Sequence, residues 1–324
     1  MKTSKISVLL PLYNENLNYA QLAIESIINQ TYNDLEIILL LDNPNNSELK
    51  NLLYKYEKID TRIKIDINEK NLGLPETLNI GIKLATGKYI ARMDGDDISE
   101  TKRLKVQLDF MLNNPNIDLV GSDARIIDEN NNIIGEYHKL RTDLSQKMML
   151  RYFTINLIHP SWLGKAQLFK SLLYRNFSHC EDYDFMLRAY SKGYKFYNLP
   201  ECLLSYRILQ QSIDSISRKY AYEQYINTLR ARKQFQEYSK FKYEVYPDLP
   251  QLTYNSGDKE KYQSILFQLN ELRTAYKQRN IFKCISLFIK ISLKDKRPLS
   301  FRIKGMLLYK LLQSLEFLKS KLKF

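Results

Sequence analysis

The N-terminal part of the chain alternates between unbroken apolar runs and stretches with helical periodicity. Ile6–Leu12 (ISVLLPL) and Glu36–Asp42 (EIILLLD) are apolar at consecutive positions, the pattern of parallel strands buried on both faces. Ile63–Asn68 and Lys88–Asp94 repeat it in shorter form. Between these runs, residues 17–31 place Leu22, Ala23, Ile27 and Ile28 at helical spacing. Ser47–Glu57 predicts a second helix and Pro75–Ala85 a third, broken by Thr86-Gly87. Such alternation predicts a doubly wound, mostly parallel α/β sheet with ligands at the strand C-termini. Polar residues stand at those ends: Tyr13-Asn14-Glu15, Asp42-Asn43 and Asp94-Gly95-Asp96-Asp97.

After a helix expected over Ser99–Leu112, the pattern changes. Residues 118–128 and 131–140 predict antiparallel strands around Glu129-Asn130-Asn131, Cys180–Lys192 a helix, and Lys195–Tyr206 a strand pair. This makes an α+β second half. From about Tyr220 the chain reads as helical and lysine-rich, with Tyr246–Gln251 (YPDLPQ) as the best linker. The expected division is a domain over 1–215, with halves 1–112 and 113–215, followed by a helical, basic extension over 216–324.

Composition narrows the function. The 324 residues are 44% apolar and 26% charged, as in globular proteins. Residues 276–324 hold thirteen Lys/Arg against Asp295 and Glu316, so eleven of the thirteen net positive charges sit there and two on the rest. A nearly neutral domain argues against a nucleic-acid binder. Cys180, Cys202 and Cys284 form no CxxC pair, which suits a reducing cytosol and no disulfide scaffold, and they lack zinc spacing with the histidines. Met1–Lys5 leads straight into a strand without a secretory leader, and no run of about 18 apolar residues exists to span a bilayer. A cytoplasmic protein is expected.

The candidate chemistry centres on ARMDGDD, Ala91–Asp97. Three carboxylates within four residues repel unless a cation neutralises them. Hard oxygen ligands suit Mg²⁺ or Mn²⁺, often shared with substrate phosphates. Asp94 and Asp96, two apart, can point the same way from an extended segment, and Gly95 permits close backbone approach. The bland alternative is a solvated acidic turn.

LLPLYNEN, INQTYNDLEIILLLD, NEKNLGLPETLNIGIKLATGKYIARMDGDD and CEDYDFMLRAYSKGYKF follow one another in this order. That succession resembles the inverting family 2 glycosyltransferases with the GT-A fold, over roughly residues 5–210. The resemblance implies a UDP-sugar donor gripped through Mn²⁺ or Mg²⁺. It implies that Pro11, Tyr13 and Glu15 form the first nucleotide loop, that Asp42 contacts the uracil, and that Asn71 and Gly73 close over the nucleotide. Asp94 and Asp96 match the DXD motif, with Asp94 nearer the ribose and Asp96 on the metal. Asp182 matches the catalytic base, flanked by Glu181 and by Asp184, a weaker candidate because it faces another way on a helix.

Two departures stand out. Asp42 runs into Asn43-Pro44-Asn45-Asn46 where the family commonly has another acid, and Leu209 occupies the place of a histidine that commonly completes the metal site. His159 and Trp162, in IHPSW, are candidates for the acceptor side, with structural and core roles as the alternatives. A sugar nucleotidyltransferase would want a Gly-rich basic loop, but Leu9–Asn18 has no Gly, Lys or Arg.

The resemblance extends to acceptors such as lipid-linked oligosaccharides or surface polysaccharide precursors, met at the inner face of the plasma membrane. The QxxRW-type motif of processive synthases is absent, so one sugar per encounter is expected. The basic tail interleaves Leu, Ile and Phe with Lys and Arg, the composition of a helix lying on anionic lipid. Its alternative is packing on the domain or on a second subunit.

Overall fold

The computed structural model describes residues 4–150, 155–177, 179–209, 220–241 and 309–317, with scattered positions between 260 and 290. Strands β1 (Ile6–Leu12), β2 (Leu35–Leu41), β3 (Ile63–Ile67) and β4 (Tyr89–Arg92) pair in parallel in the order β3-β2-β1-β4. Every residue of β1, β2 and β4 is buried. The unbroken apolar runs follow from helices on both sheet faces. Ile6, Val8, Leu10 and Leu12 join Ile37, Leu39 and Leu41 against α1 (Leu17–Ile28) and α2 (Ser47–Ile59). Leu9, Ile38 and Leu40 point the other way, onto α3 (Leu74–Leu84). Burying each such side chain contributes about 1.5–3 kcal/mol.

The sheet continues through β8 (Leu163–Lys165), β6 (Leu119–Ile127), β9 (Phe196–Arg207) and β5 (Ile98–Ser99), with β7 (Ile133–Tyr137) antiparallel on β6. The β6–β7 hairpin is the antiparallel pair expected. Lys195–Tyr206 is one long strand and not a pair. Its register on β6 jumps between Ser122 and Ala124, and this irregularity absorbs Pro200, which cannot donate to a ladder. The helix expected from Ser99 starts later, as α4 (Arg103–Asn113), because Ile98 and Ser99 pair with Ser205 and Leu204 of β9. Helices α5 (Asp143–Leu150) and α6 (Ala166–Leu172) carry no strong periodic signal and went unforeseen. Helices α7 (Glu181–Ser191) and α8 (Ala221–Phe241) match expectation.

Residues 309–317 form a last helix, α9. The Tyr309 hydroxyl donates to the carbonyl of His138 at 2.6 Å. Leu312 is buried with Leu140 and Met149. The Glu316 carboxylate accepts from the backbone N–H groups of Arg141 and Thr142 just ahead of α5, where negative charge suits a helix N-terminus. The tail's packing alternative therefore holds for α9. The expected linker Tyr246–Gln251 lies outside the described residues.

Candidate active site

The sheet delivers its acidic loop at the C-terminal end of β4. Gly95 lies against the end of β1, where a Cβ would meet Leu12 Cδ2 at 2.7 Å and the Pro11 carbonyl at 3.2 Å, so only glycine lets the loop cross so closely. Asp94, Asp96 and Asp97 each offer a carboxylate oxygen within 4.8 Å of the other two. Arg92, buried at the end of β4, ion-pairs with Asp94. Asp97 is buried and accepts the Arg207 backbone N–H at 2.9 Å, while its Oδ2 has no hydrogen-bond partner among the described residues. The Arg207 guanidinium donates to the carbonyls of Asp96 and Asp128 and lies 4.0 Å over the Tyr19 ring. β9 thus braces the loop from behind.

This crowding changes the acids. Burial, then the neighbouring Asp94, pushes Asp96 up to about 6. Asp97 is pushed well above the usual carboxylate range, first by burial and then by Asp96 and Asp94. Glu15, at the end of β1, rises to about 7 through burial with further lift from Asp96 and Asp94, despite accepting the Tyr13 N–H at 2.6 Å. Carboxylates that resist ionisation together, one with a buried oxygen that has no donor among the described residues, fit a hard divalent cation bound by oxygen ligands. The sequence pointed to Asp94 and Asp96, and the structure adds Asp97.

On the nucleotide side Pro11 is buried within β1 and Tyr13 is exposed. Asp42, buried at the end of β2, accepts Asn68 Nδ2 at 2.6 Å and the N–H groups of Leu72 and Gly73 at 2.7 and 2.8 Å. Asn71 Oδ1 also accepts the Gly73 N–H, and Gly73 has φ +85°, in the left-handed region. Asp42 therefore latches the loop that holds Asn71 and Gly73. It does not cap α2, because Asn46 does so by accepting the Leu49 N–H. Asn43 and Asn46 donate to Asn14 Oδ1, linking the first two strand ends where the family pattern has an acid.

Glu181 and Asp182 open α7. Burial raises both; Glu181 reaches about 8, lifted further by Asp182. Arg92 and Asp94 act on each of them, which places the pair within electrostatic reach of the acidic loop. Asp184 is buried between Arg175 and Arg188 and is structural. Two acceptor-side expectations are corrected. Trp162 is fully buried, packed on His159 and Phe185, and has no face for a sugar. His159 is buried with its Nε2 on the Tyr174 hydroxyl at 2.8 Å, and burial holds its pKa well below the usual histidine range, so it is a core histidine. Arg92 and Arg207 went unassigned from sequence. The clue to Arg92 was a lone cation inside a buried strand, directly before the acids. Leu209 is described, but residues 210–219 beyond it are not, so the third metal ligand sought there falls outside.

Comparison with known proteins follows the same outline. A model of the family described as glycosyl transferase family 2 matches residues 7–173. An uncharacterised glycosyltransferase of Methanocaldococcus jannaschii is 40% identical over 206 residues, covering 63% of this chain and 70% of that protein. The O-antigen biosynthesis glycosyltransferase WbnJ of Escherichia coli is 33% identical over 218 residues, 66% of this chain and 84% of that one. Among solved structures, S. aureus TarS 1-349 in complex with UDP-GlcNAc gives a TM-score of 0.55 at 16% identity, over 91% of this chain and 92% of that chain. This chain covers 54% of the longer TarS chain. The TarS likeness shows the GT-A fold.

Proposed function

The chain belongs to glycosyl transferase family 2, and from that premise we propose that it moves a single hexose or N-acetylhexosamine from a UDP-sugar to an acceptor hydroxyl, with inversion. The observation that carries the reading is the cluster of Asp94, Asp96 and Asp97 at the end of β4, with Glu181 and Asp182 within electrostatic reach of it.

In this reading Asp42 and its latched loop, with Pro11, Tyr13 and Glu15, line the nucleotide side. Asp94, Asp96 and Asp97 would hold Mn²⁺ or Mg²⁺, which when bound would supply Lewis-acid neutralisation of the diphosphate. Burial and the neighbouring Asp182 push Glu181 up to about 8, which favours its protonated form, and the role of base is given to Asp182. Asp182 takes the proton of the acceptor hydroxyl as its oxygen bonds to the anomeric carbon. The bond from that carbon to the diphosphate oxygen breaks with its electron pair leaving on UDP. Attack and departure on opposite faces invert the centre. A positioned base of this kind contributes about 10²–10⁴ in rate.

Residues 1–215 form the catalytic domain in this account, and 216–324 an extension. The acceptor is a lipid-linked glycan or surface polysaccharide precursor at the inner face of the plasma membrane, a reading supported by relatives such as WbnJ, named for O-antigen biosynthesis. No described helix is long and apolar enough to cross a membrane. Screening UDP-sugars for UDP release, with the anomeric configuration of the product read by NMR, tests the reaction. A β-linked product from an α-linked donor is expected. Retention, or activity with GDP-sugars alone, overturns it.

A further inference from the structure

The residue that braces the acidic loop also reaches well beyond it. Arg207, at the end of β9, is buried, and every nitrogen of its guanidinium has an acceptor. Nε donates to the Asp96 carbonyl at 2.8 Å, Nη1 to the Asp128 carbonyl at 2.8 Å and Nη2 to Asn131 Oδ1 at 2.7 Å. The Arg207 backbone N–H donates to Asp97 Oδ1 at 2.9 Å. One residue thus holds Asp96 by its carbonyl and Asp97 by its carboxylate. It leaves Asp97 Oδ2 with no hydrogen-bond partner among the described residues.

The far end of this clamp is the turn between β6 and β7. Asp128 closes the turn from within: its Oδ1 accepts the N–H groups of Asn130 and Asn132, both at 2.8 Å, and its Oδ2 accepts Asn132 Nδ2 at 3.0 Å. Asn131 has φ +67°, a left-handed conformation that asparagine adopts more readily than most residues. From outside, the Tyr19 hydroxyl on α1 donates to the Glu129 carbonyl at 3.0 Å, and the Arg207 guanidinium lies 4.0 Å over the Tyr19 ring. The turn therefore offers Arg207 two fixed acceptors. Strand pairing does not require them, because β6 and β9 already align Ile127 with Arg207 and the Ile208 N–H donates to the Ile127 carbonyl at 2.9 Å.

We propose that Arg207 is a positioning residue for the metal ligands, and that Asn131 in the β6–β7 turn sets divalent-cation affinity through it. The inference rests on the reading of Asp94, Asp96 and Asp97 as the cation site. Groups that hydrogen-bond to ligands fix where those ligands point, and losing one typically costs about 10–100-fold in metal affinity or activity. The planar fork of arginine meets several acceptors in set directions, which the point charge of lysine cannot do. Asn131 does not itself touch the acids, so any effect it has on the cation must pass through Arg207.

The test measures Mn²⁺ binding to the full chain without nucleotide, from the signal of free Mn²⁺ in electron paramagnetic resonance, beside melting temperature. Arg207→Lys keeps the charge and loses the fork. Asn131→Gly removes one acceptor of Arg207 and suits the positive φ, so it should melt like wild type. Arg207→Lys should lose at least about tenfold in Mn²⁺ affinity, and Asn131→Gly a smaller factor. Saturating Mn²⁺ should restore wild-type UDP affinity to Asn131→Gly, which a merely structural loss would not allow. Wild-type Mn²⁺ affinity in Asn131→Gly overturns the coupling through the turn, whether or not Arg207→Lys folds. Wild-type affinity in a folded Arg207→Lys overturns the positioning role, and so does a UDP defect in Asn131→Gly that saturating Mn²⁺ leaves in place. Wild type that binds no Mn²⁺ defeats the cation-site reading itself, so the two failures are told apart.

Discussion

Replacing Asp182 by Asn separates catalysis from binding at the centre of the site. The side chain is half-buried at the start of α7, and its Oδ1 accepts the Tyr183 N–H at 2.7 Å. An amide oxygen can keep that bond, so the fold should lose less than about 1 kcal/mol. What disappears is the carboxylate proposed to take the acceptor's proton, so the expected loss is about 10²–10⁴ in kcat, or about 3–5 kcal/mol of barrier. The neighbour responds as well. Asp182 is, after burial, the main cause holding Glu181 near 8, so in the variant Glu181 ionises at lower pH. Asp96→Asn removes an oxygen from the acidic cluster and should weaken UDP binding in Mg²⁺ as well as turnover. The assay pairs UDP-release kinetics with calorimetric UDP affinity and melting temperature for both variants. Near wild-type turnover in Asp182→Asn with an inactive Glu181→Gln would show that the base is Glu181. Full activity in both would refute a base at the start of α7.

Other variants probe the supports of the site. Gly95→Ala must push against Leu12 and the Pro11 carbonyl and should cost about 1–3 kcal/mol in melting experiments and weaken UDP binding in Mg²⁺; an unchanged protein would mean the loop has room. Asp42→Ala strands the Leu72 N–H and leaves the Gly73 N–H to Asn71 alone, costing about 1–3 kcal/mol and reducing UDP affinity, so a variant with wild-type melting and affinity contradicts the latch. Glu316→Ala should cost about 1 kcal/mol by chemical denaturation, and no loss would mean that α9 is not docked through that residue. Glu15, Asp96, Asp97 and Glu181 all have raised pKa values in the fold, so the folded state holds more protons than the unfolded one. Metal-free stability should therefore fall from about pH 4 to about pH 8, and Mn²⁺ should raise the melting temperature more at pH 8 than at pH 5; a flat pH profile of the metal-free protein would contradict this.

The N-terminal half was legible because burial on both sheet faces leaves no polar position within Leu35–Leu41 except Glu36, and the carboxylates had to appear where the strands end. The second half was less so. Residues 163–165 make a strand too short to carry a period, and Pro200 divided β9 in the sequence pattern although the chain runs through it with a bulge. Trp162 and His159 look in sequence like groups offered to a ligand, but Tyr174 and Phe185, brought in by the chain after α6, seal them in the core. Asp96 and Asp97 are the same residue type side by side; Asp97 is the buried one, and the Arg207 N–H that donates to it arrives 110 residues later. Tyr309, Leu312 and Glu316 form a periodic face in sequence, but nothing local reveals that its partner is the segment beginning at His138.

Calorimetric titration of UDP into wild-type protein, with Mn²⁺ and then with EDTA, bears most directly on the claim that the acidic cluster grips a nucleotide diphosphate through a metal. With Mn²⁺, UDP should bind at least about tenfold more tightly than with EDTA, as expected when a divalent cation bridges carboxylates and phosphates, and more tightly than GDP. Equal affinity in Mn²⁺ and EDTA would contradict the metal site, and preference for GDP would contradict the assignment of Asp42 and its loop to uracil.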